Sequence, residues 1–221
     1  MLVTEIINTK TPPLALTDTV SAALVKFDIC GLNKLAVVNE ALLVIGILNR
    51  SAFAEVENLD LTIANFPLEP IIPIVESKHV FEIARLMFAN DLNSLPVVDH
   101  EQRYKGMVIK GDVVSALSSM FNLIATGSVL TIEFAERDYS LSDIVRIIEI
   151  EGGKILGIAV QQPDSVNNNY RASVKLNLQD SSVVSAALRR YGYLITSEEN
   201  SELLEYDFSE RADELIRYLD L

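Results

Sequence analysis

The sequence has a single cysteine, Cys30, and therefore cannot form an internal disulfide. It also lacks any apolar run close to the roughly 20 residues that a membrane-spanning helix needs. Its first residues, MLVTEIINTK, show neither the basic nor the apolar region of a secretory signal. We therefore expect a protein of the reducing cytoplasm that has no membrane partner.

Basic residues are also scarce, with 18 Lys and Arg against 31 Asp and Glu and a net charge of −13. No basic patch is visible, so the sequence predicts no nucleic-acid partner. The acidic excess is concentrated at residues 198–221, which hold nine acidic and two basic residues. This acidic tail includes FSERADELIRYLDL, whose apolar spacing predicts a short amphipathic helix.

A repeat becomes visible when the sequence is aligned with itself so that Pro13 falls on Pro73. Eight identities then align without an insertion, which indicates duplication rather than chance. The identical pairs of this repeat alignment are Pro13/Pro73, Val20/Val80, Leu32/Leu92, Asn33/Asn93, Leu35/Leu95, Val37/Val97, Val38/Val98 and Gly46/Gly106.

Each copy has the pattern β-α-β-β-α. A short extended segment follows the prolines, and an amphipathic helix comes next, TVSAALVKFDIC in one copy and VFEIARLMFAND in the other. The runs KLAVVNEALLVIGIL and SLPVVDHEQRYKGMVI predict hairpins, and a second helix is predicted after each. Since one copy can build only half of a core, we expect the two copies to pack as one module.

The second copy, with LPVVD at 95–99, Gly106 and IKGD at 109–112, resembles the CBS-domain family. The first copy has LAVVN at 35–39, Gly46 and NRSA at 49–52 in the same places. The resemblance implies a tandem pair, or Bateman module, made of residues 1–60 and 61–120. Such pairs are usually homodimers with clefts for adenine-containing ligands.

In the family, the last strand leads into a Ser or Thr for phosphate and an Asp for the ribose hydroxyls. Here the hydroxyl position is Ile109 or Asn49, and the acidic position is Asp112 or Ala52. Lys110 could replace the missing hydroxyl, and Asp112 is either a ribose ligand or an ordinary first-turn acid of a helix. The candidate ligand-binding residues are Asp112, Lys110, Gly111, Ile109, Pro96, Leu95, Ile74, Arg50 and Ser51.

The last third of the chain, residues 128–197, follows a different pattern. Strands and helices are predicted in the order β-α-β-β-α-β, a ferredoxin-like arrangement. With TIEFAERDYSLSDIVRIIEIEGGKILGIAV, this part resembles an ACT domain. The usual ligand turn carries a glycine, which is absent from ERDYSLSD, so amino-acid binding stays open.

The fold class is therefore α+β, with a CBS-type module followed by an ACT-like domain, as in acetoin-utilisation-type regulatory proteins. This resemblance implies a non-catalytic regulator that senses AMP, ADP, ATP or S-adenosylmethionine. The sequence has no nucleophile–base pair, metal cluster or dinucleotide fingerprint, so we expect no enzyme, metal or required cofactor. A ligand-free oligomerising scaffold that binds another protein is the alternative. The regulated protein is not indicated.

Overall fold

The computed structural model describes residues 1–70, 73–163 and 168–199. One compact unit is Met1–Leu117, and a second begins at Ser118. Both units mix helices and strands. No helix in the described ranges is long and apolar enough to cross a bilayer.

The first unit contains the two predicted repeats. The first repeat consists of β1 (Leu14–Ala15), α1 (Val20–Cys30), β2 (Lys34–Val38) and β3 (Val44–Asn49), and the second of β4 (Ile74–Val75), α2 (Val80–Ala89), β5 (Ser94–Val98), β6 (Tyr104–Ile109) and α3 (Lys110–Met120). Each repeat has a three-stranded sheet, in the order β1-β2-β3 or β4-β5-β6.

The strand pairing of one repeat reproduces that of the other at the positions that the repeat alignment makes equivalent. In the first hairpin Lys34 lies opposite Asn49, and in the second Ser94 lies opposite Ile109. The parallel pairs β1–β2 and β4–β5 also begin at equivalent positions. Both predicted hairpins are confirmed, and the duplication in sequence is a duplication in backbone register.

The second helix predicted for the first repeat is wrong, because Asn49 is followed only by a 3-10 helix, Arg50–Phe53. In α3 the apolar positions continue through Leu117 and Met120. The repeat alignment places Glu57 and Asp60 at these positions in the first copy, so the apolar stripe ends after one turn. An Asn58 side chain that accepts the Asp60 N–H at 3.0 Å further favours a turn.

The segments that precede the two repeats, residues 2–8 and 62–69, are exchanged between them. Each segment pairs with the repeat that it does not precede in the chain. Asn8 pairs with Met107 of the second repeat, with N–H to O distances of 2.9 and 3.2 Å. Glu69 pairs in the same way with Ile47 of the first repeat, at 2.8 and 2.9 Å. An isolated β-bridge at the other end of each segment follows the same pattern. Leu2 pairs with His79 of the second repeat, and Thr62 pairs with Thr19 of the first.

The exchange extends to the hydrophobic cores. Val3, which is 0% exposed, lies in the core of the second repeat, and Ile63 lies in that of the first. Each core is therefore completed by residues that precede the other repeat. The boundaries at residues 60 and 120 remain a prediction.

Tyr104 links β6 to the chain that follows the first exchanged segment. Its hydroxyl donates to the Thr11 carbonyl oxygen at 2.9 Å. Burial, and secondarily the negative charge of the Cys30 thiolate, raises the pKa of this phenol. The folded state thus keeps Tyr104 neutral where the unfolded chain, with a tyrosine pKa of about 10, already loses the proton.

We expect Tyr104→Phe to lower the free energy of unfolding by about 1 kcal/mol at neutral pH, because one hydrogen bond is lost. Above pH ~10 the unfolded wild-type chain binds fewer protons than the folded one, so wild-type stability falls with rising pH. The variant should lose less over that range. Urea unfolding at neutral pH and above pH ~10 measures the free energy of unfolding of both proteins. Equal losses in the two proteins would contradict the prediction.

The second unit consists of a four-stranded antiparallel sheet in the order β10-β7-β9-β8 and two helices. Its elements are β7 (Val129–Phe134), α4 (Leu141–Ile150), β8 (Ile155–Gln161), β9 (Tyr170–Leu176), α5 (Ser182–Arg190) and β10 (Leu194–Glu199). One core joins sheet and helices through residues such as Ile132, Ile148 and Leu188. The amphipathic helix predicted in the acidic tail lies outside the described residues.

Candidate functional site

A cleft of about 1010 Å³ lies between the two repeats of the first unit. Each repeat contributes the residues that enter its second strand and those that leave its third. The same seven positions line the cleft from both copies: Gly31, Leu32, Asn33, Lys34, Asn49, Arg50 and Ser51 in the first, and Asp91, Leu92, Asn93, Ser94, Ile109, Lys110 and Gly111 in the second. Most of the cleft is thus lined by equivalent residues of the two copies.

Local backbone geometry brings these two stretches together in each repeat. Gly31 ends α1 with a φ of 62°, and Asp91 has a φ of 49° at the equivalent place after α2. The carbonyl oxygen of Asn33 then accepts the Arg50 N–H at 2.8 Å. In the second repeat Asn93 accepts from Lys110 at 2.9 Å, so both walls of the cleft have the same support.

Three cations line the cleft, and each is close to a carboxylate. Lys34 lies 2.6 Å from Glu69, and Arg50 lies 2.6 Å from Asp28.

Lys110 lies 3.1 Å from Asp91 and 5.2 Å from the centre of the Phe88 ring. The repeat alignment pairs Asp28 with Phe88 and Arg50 with Lys110, so an ion pair in one copy corresponds to a cation–π contact in the other. Exposed pairs of this kind contribute less than about 1 kcal/mol each, so a ligand could rearrange them.

The structure places five of the nine predicted ligand-binding residues on this cleft. They are Arg50, Ser51, Ile109, Lys110 and Gly111. Their binding of a ligand remains a prediction.

The other four predicted residues lie off the lining. Asp112 follows directly, half-buried in the first turn of α3. Leu95 is 1% exposed, Ile74 is 8% exposed and both belong to the core of the second repeat. Pro96 is buried in β5 opposite Met107. A ligand contact by any of these four stays a prediction.

Sequence reasoning missed the stretches 31–34 and 91–94, which form more than half of the shared lining. A signal was present, because Leu32/Leu92 and Asn33/Asn93 are identities of the repeat. They indicated duplication, but their position just before the second strand was not connected with a site.

Residues 63–119 match the family model described as CBS domain. The first repeat shares its strand order and register with this part of the chain, so residues 1–117 form a CBS domain pair. No curated protein matches the chain.

Several solved structures are similar to the chain. A Thermotoga maritima CBS domain pair/ACT domain protein is 24% identical, with 54% of this chain and 98% of that chain covered and a TM-score of 0.49. Protein MJ1004 from Methanocaldococcus jannaschii is 18% identical, with 55% and 61% covered and a TM-score of 0.50, a likeness of fold alone. The CBS domain pair of protein MJ0100, crystallised with 5′-methylthioadenosine and S-adenosyl-L-methionine, is 23% identical, with 54% and 97% covered and a TM-score of 0.44.

Proposed function

We propose that the CBS domain pair is a non-catalytic regulatory module that binds an adenosyl compound in the cleft between its repeats. The observation that carries the proposal is the lining itself, since a cleft of about 1010 Å³ is formed by equivalent residues of both copies. Its volume suits a nucleoside-sized ligand, and it combines apolar walls with a few fixed polar groups. The affinity for a ligand that contacts both copies depends on how the copies are arranged.

The base and the ribose of such a ligand each have a candidate counterpart in the cleft or directly beside it. Leu32, Leu92 and Ile109 offer apolar surface to a base, and the polar groups of Asn93 and Ser94 lie beside them. Asp112, the next residue after the lining, is our candidate for the ribose hydroxyls, because a carboxylate accepts two O–H donors.

Regulation would follow from differential affinity. A ligand that contacts both copies stabilises one of their arrangements over another, and the populations shift accordingly. The exchanged segment that precedes the second repeat would couple such a shift to the first core, since Glu69 and Pro70 line the cleft and Ile63 of the same segment belongs to that core.

For the second unit we infer an ACT-like, ferredoxin-like domain. The strand order β10-β7-β9-β8, with one helix after β7 and another after β9, supports this inference. We further propose a cytoplasmic homodimer whose domain order resembles that of acetoin-utilisation-type regulators. Amino-acid binding by this unit stays open.

Calorimetric titration of the full chain with adenosine, AMP, ADP, ATP and S-adenosylmethionine tests the module. We expect Asp112→Asn to weaken the binding of the tightest ligand by at least about tenfold, because charge-assisted bonds to the ribose are lost. Its melting temperature without ligand should stay close to that of wild type.

Glu82→Gln is the matched control, since Glu82 is also a first-turn acid, on α2 of the same repeat. It should leave the affinity unchanged. If folded wild-type protein gives no heat with any compound, the proposal is wrong. If Asp112→Asn binds like wild type, only the ribose contact is wrong.

A ligand-free scaffold is the second candidate, and the charge pairing in the cleft favours it. Lys34, Arg50 and Lys110 each already have a carboxylate nearby, and copy one has Ala52 in the acidic position. The acidic tail would then be the contact surface for another protein. Unchanged oligomer size and unchanged co-purifying partners after deletion of residues 198–221 would count against this candidate.

A further inference from the structure

The second unit has a cavity of its own, of about 600 Å³, at the end of the sheet where β7 stops and β10 starts. Its walls come from the last residues of β7, the stretch that leads into α4 and the turn between α5 and β10. A cavity of this size can hold one small ligand. The function proposed above for the first unit makes no use of it.

Four aromatic side chains line this cavity, those of Phe134, Tyr139, Tyr191 and Tyr193. The ring centres of Phe134 and Tyr139 are 5.5 Å apart, and Tyr170 contacts both rings at 6.0 and 5.0 Å. These contacts fix the Tyr139 ring, yet Tyr139 is 45% exposed. A ring that is held in place but only half-covered still offers surface to a ligand.

The charged groups on the lining of the cavity are three carboxylates and one guanidinium, those of Glu133, Asp138, Asp143 and Arg137. Burial raises the pKa of the Tyr193 phenol, and the negative charges of Asp143 and Asp138 raise it further, whereas Arg146 lowers it. The phenol therefore experiences a negative potential inside the cavity.

The arginines near the carboxylates leave most of this negative charge available. Asp138 lies 3.5 Å from Arg137, and Asp143 lies 3.5 Å from Arg146. All four side chains are exposed, so both pairs are weak and can rearrange around a ligand. Glu133 is bound more closely, at 2.7 Å from Arg171.

Aromatic rings and carboxylates in one cavity favour a particular kind of cation. A quaternary ammonium group cannot donate hydrogen bonds, and its alkyl groups pack well on aromatic faces, which attract the positive charge. A primary ammonium group is strongly hydrated and gains less from such a wall. An anionic or zwitterionic ligand would bring a further carboxylate close to Asp138 and Asp143, which opposes its binding.

We propose that this cavity binds a small organic cation that carries a quaternary ammonium group. Tyr139 and Tyr193 contact its alkyl groups, and the carboxylates of Asp138 and Asp143 balance its charge. This site belongs to the second unit alone, and it does not depend on the function proposed for the first.

Calorimetric titration of the full chain tests this with choline and with dimethylbutanol, in which a carbon atom replaces the charged nitrogen. The two compounds have nearly the same shape, so the comparison isolates the charge. We expect choline to bind at least about tenfold more tightly, and its affinity to fall as salt is raised. Absence of choline binding, equal affinity for both compounds, or tighter binding of L-serine or L-leucine than of choline would overturn the proposal.

Variants assign the binding to this cavity. Tyr139→Leu removes the ring and should weaken choline binding at least about fivefold, whereas Tyr139→Phe keeps the ring and should stay within about twofold of wild type. Asp143→Asn should weaken binding about threefold. Glu149→Gln is its control, because Glu149 is an exposed acid of the same helix that is off the lining. Melting temperatures check folding, and the Asp143 pair carries the test if Tyr139→Leu does not fold. Choline affinity that Asp143→Asn and Glu149→Gln change equally would overturn the assignment to this cavity.

Discussion

Replacing Val3 by aspartate is expected to destabilise the second repeat by at least about 3 kcal/mol, although the change lies far from that repeat in sequence. Val3 is 0% exposed and belongs to the core that α2 and β5 build. Its N–H donates to the Lys78 carbonyl oxygen at 2.9 Å, so the backbone holds the side chain in that core. A carboxylate placed among these apolar side chains must either stay buried at a high cost or pull the segment away.

Hydrogen exchange followed by mass spectrometry locates the effect. Amides of α2 and β6 should lose protection, and those of β2 and β3 should keep it. Thr4→Asp is the control, because Thr4 is the exposed neighbour and the change introduces the same charge. Its effect should stay within about 0.5 kcal/mol. Loss of protection in the first repeat alone would show that the exchanged segment does not belong to the second core.

The repeated architecture was predictable because local signals carry it. Val80, Ile83, Ala84 and Met87 recur at helical spacing and are the buried residues of α2. The hairpins follow from β-branched runs, and the register of one copy carries over to the other in the repeat alignment. The apolar stripe is interrupted at Glu57, where the predicted second helix of the first repeat does not form. Apolar periodicity therefore explains both the correct helix predictions and this wrong one.

The exchange of the leading segments could not be predicted. Leu2, Val3, Ile6 and Ile7 are recognisably apolar, but in a duplicated chain they fit either of two similar cores. Residue spacing does not distinguish pairing within a copy from pairing between copies. The choice depends on which route the chain takes, and this is a property of the tertiary structure.

Only part of the candidate site was predicted, because the rest of it also depends on the tertiary structure. Motif positions 109–111 and 50–51 line the cleft because they follow strands whose ends the pattern located correctly. The stretches 31–34 and 91–94 were missed because they approach the cleft only through long-range contacts, such as that of Asn93 with Lys110. Ion pairs such as Lys110–Asp91 depend on side-chain placement, which a repeat alone does not give.

Replacing Gly106 by alanine is expected to lower the free energy of unfolding of the first unit by about 2–4 kcal/mol. A Cβ at this position would clash with the Asn8 carbonyl oxygen and would lie 3.0 Å from Ile7 Cγ1. Backbone oxygen cannot move aside as a side chain can, and the φ of +156° adds strain for any residue with a Cβ. The exchanged segment would have to leave the edge of β6, and both hydrogen bonds between Asn8 and Met107 would weaken.

Gly111→Ala is the matched control, because the nearest atom to its added Cβ is Ile109 Cδ1 at 4.0 Å. In the first turn of α3 this change should be neutral or stabilise by up to about 1 kcal/mol. Gly46→Ala should fall between the two, since its Cβ would lie 2.8 Å from the Leu68 Cβ and 3.1 Å from the Glu69 carbonyl oxygen. Urea unfolding of the three variants gives the order. If Gly106→Ala were as stable as Gly111→Ala, the segment could not be packed on β6, and the shared cores would have to be formed in another way.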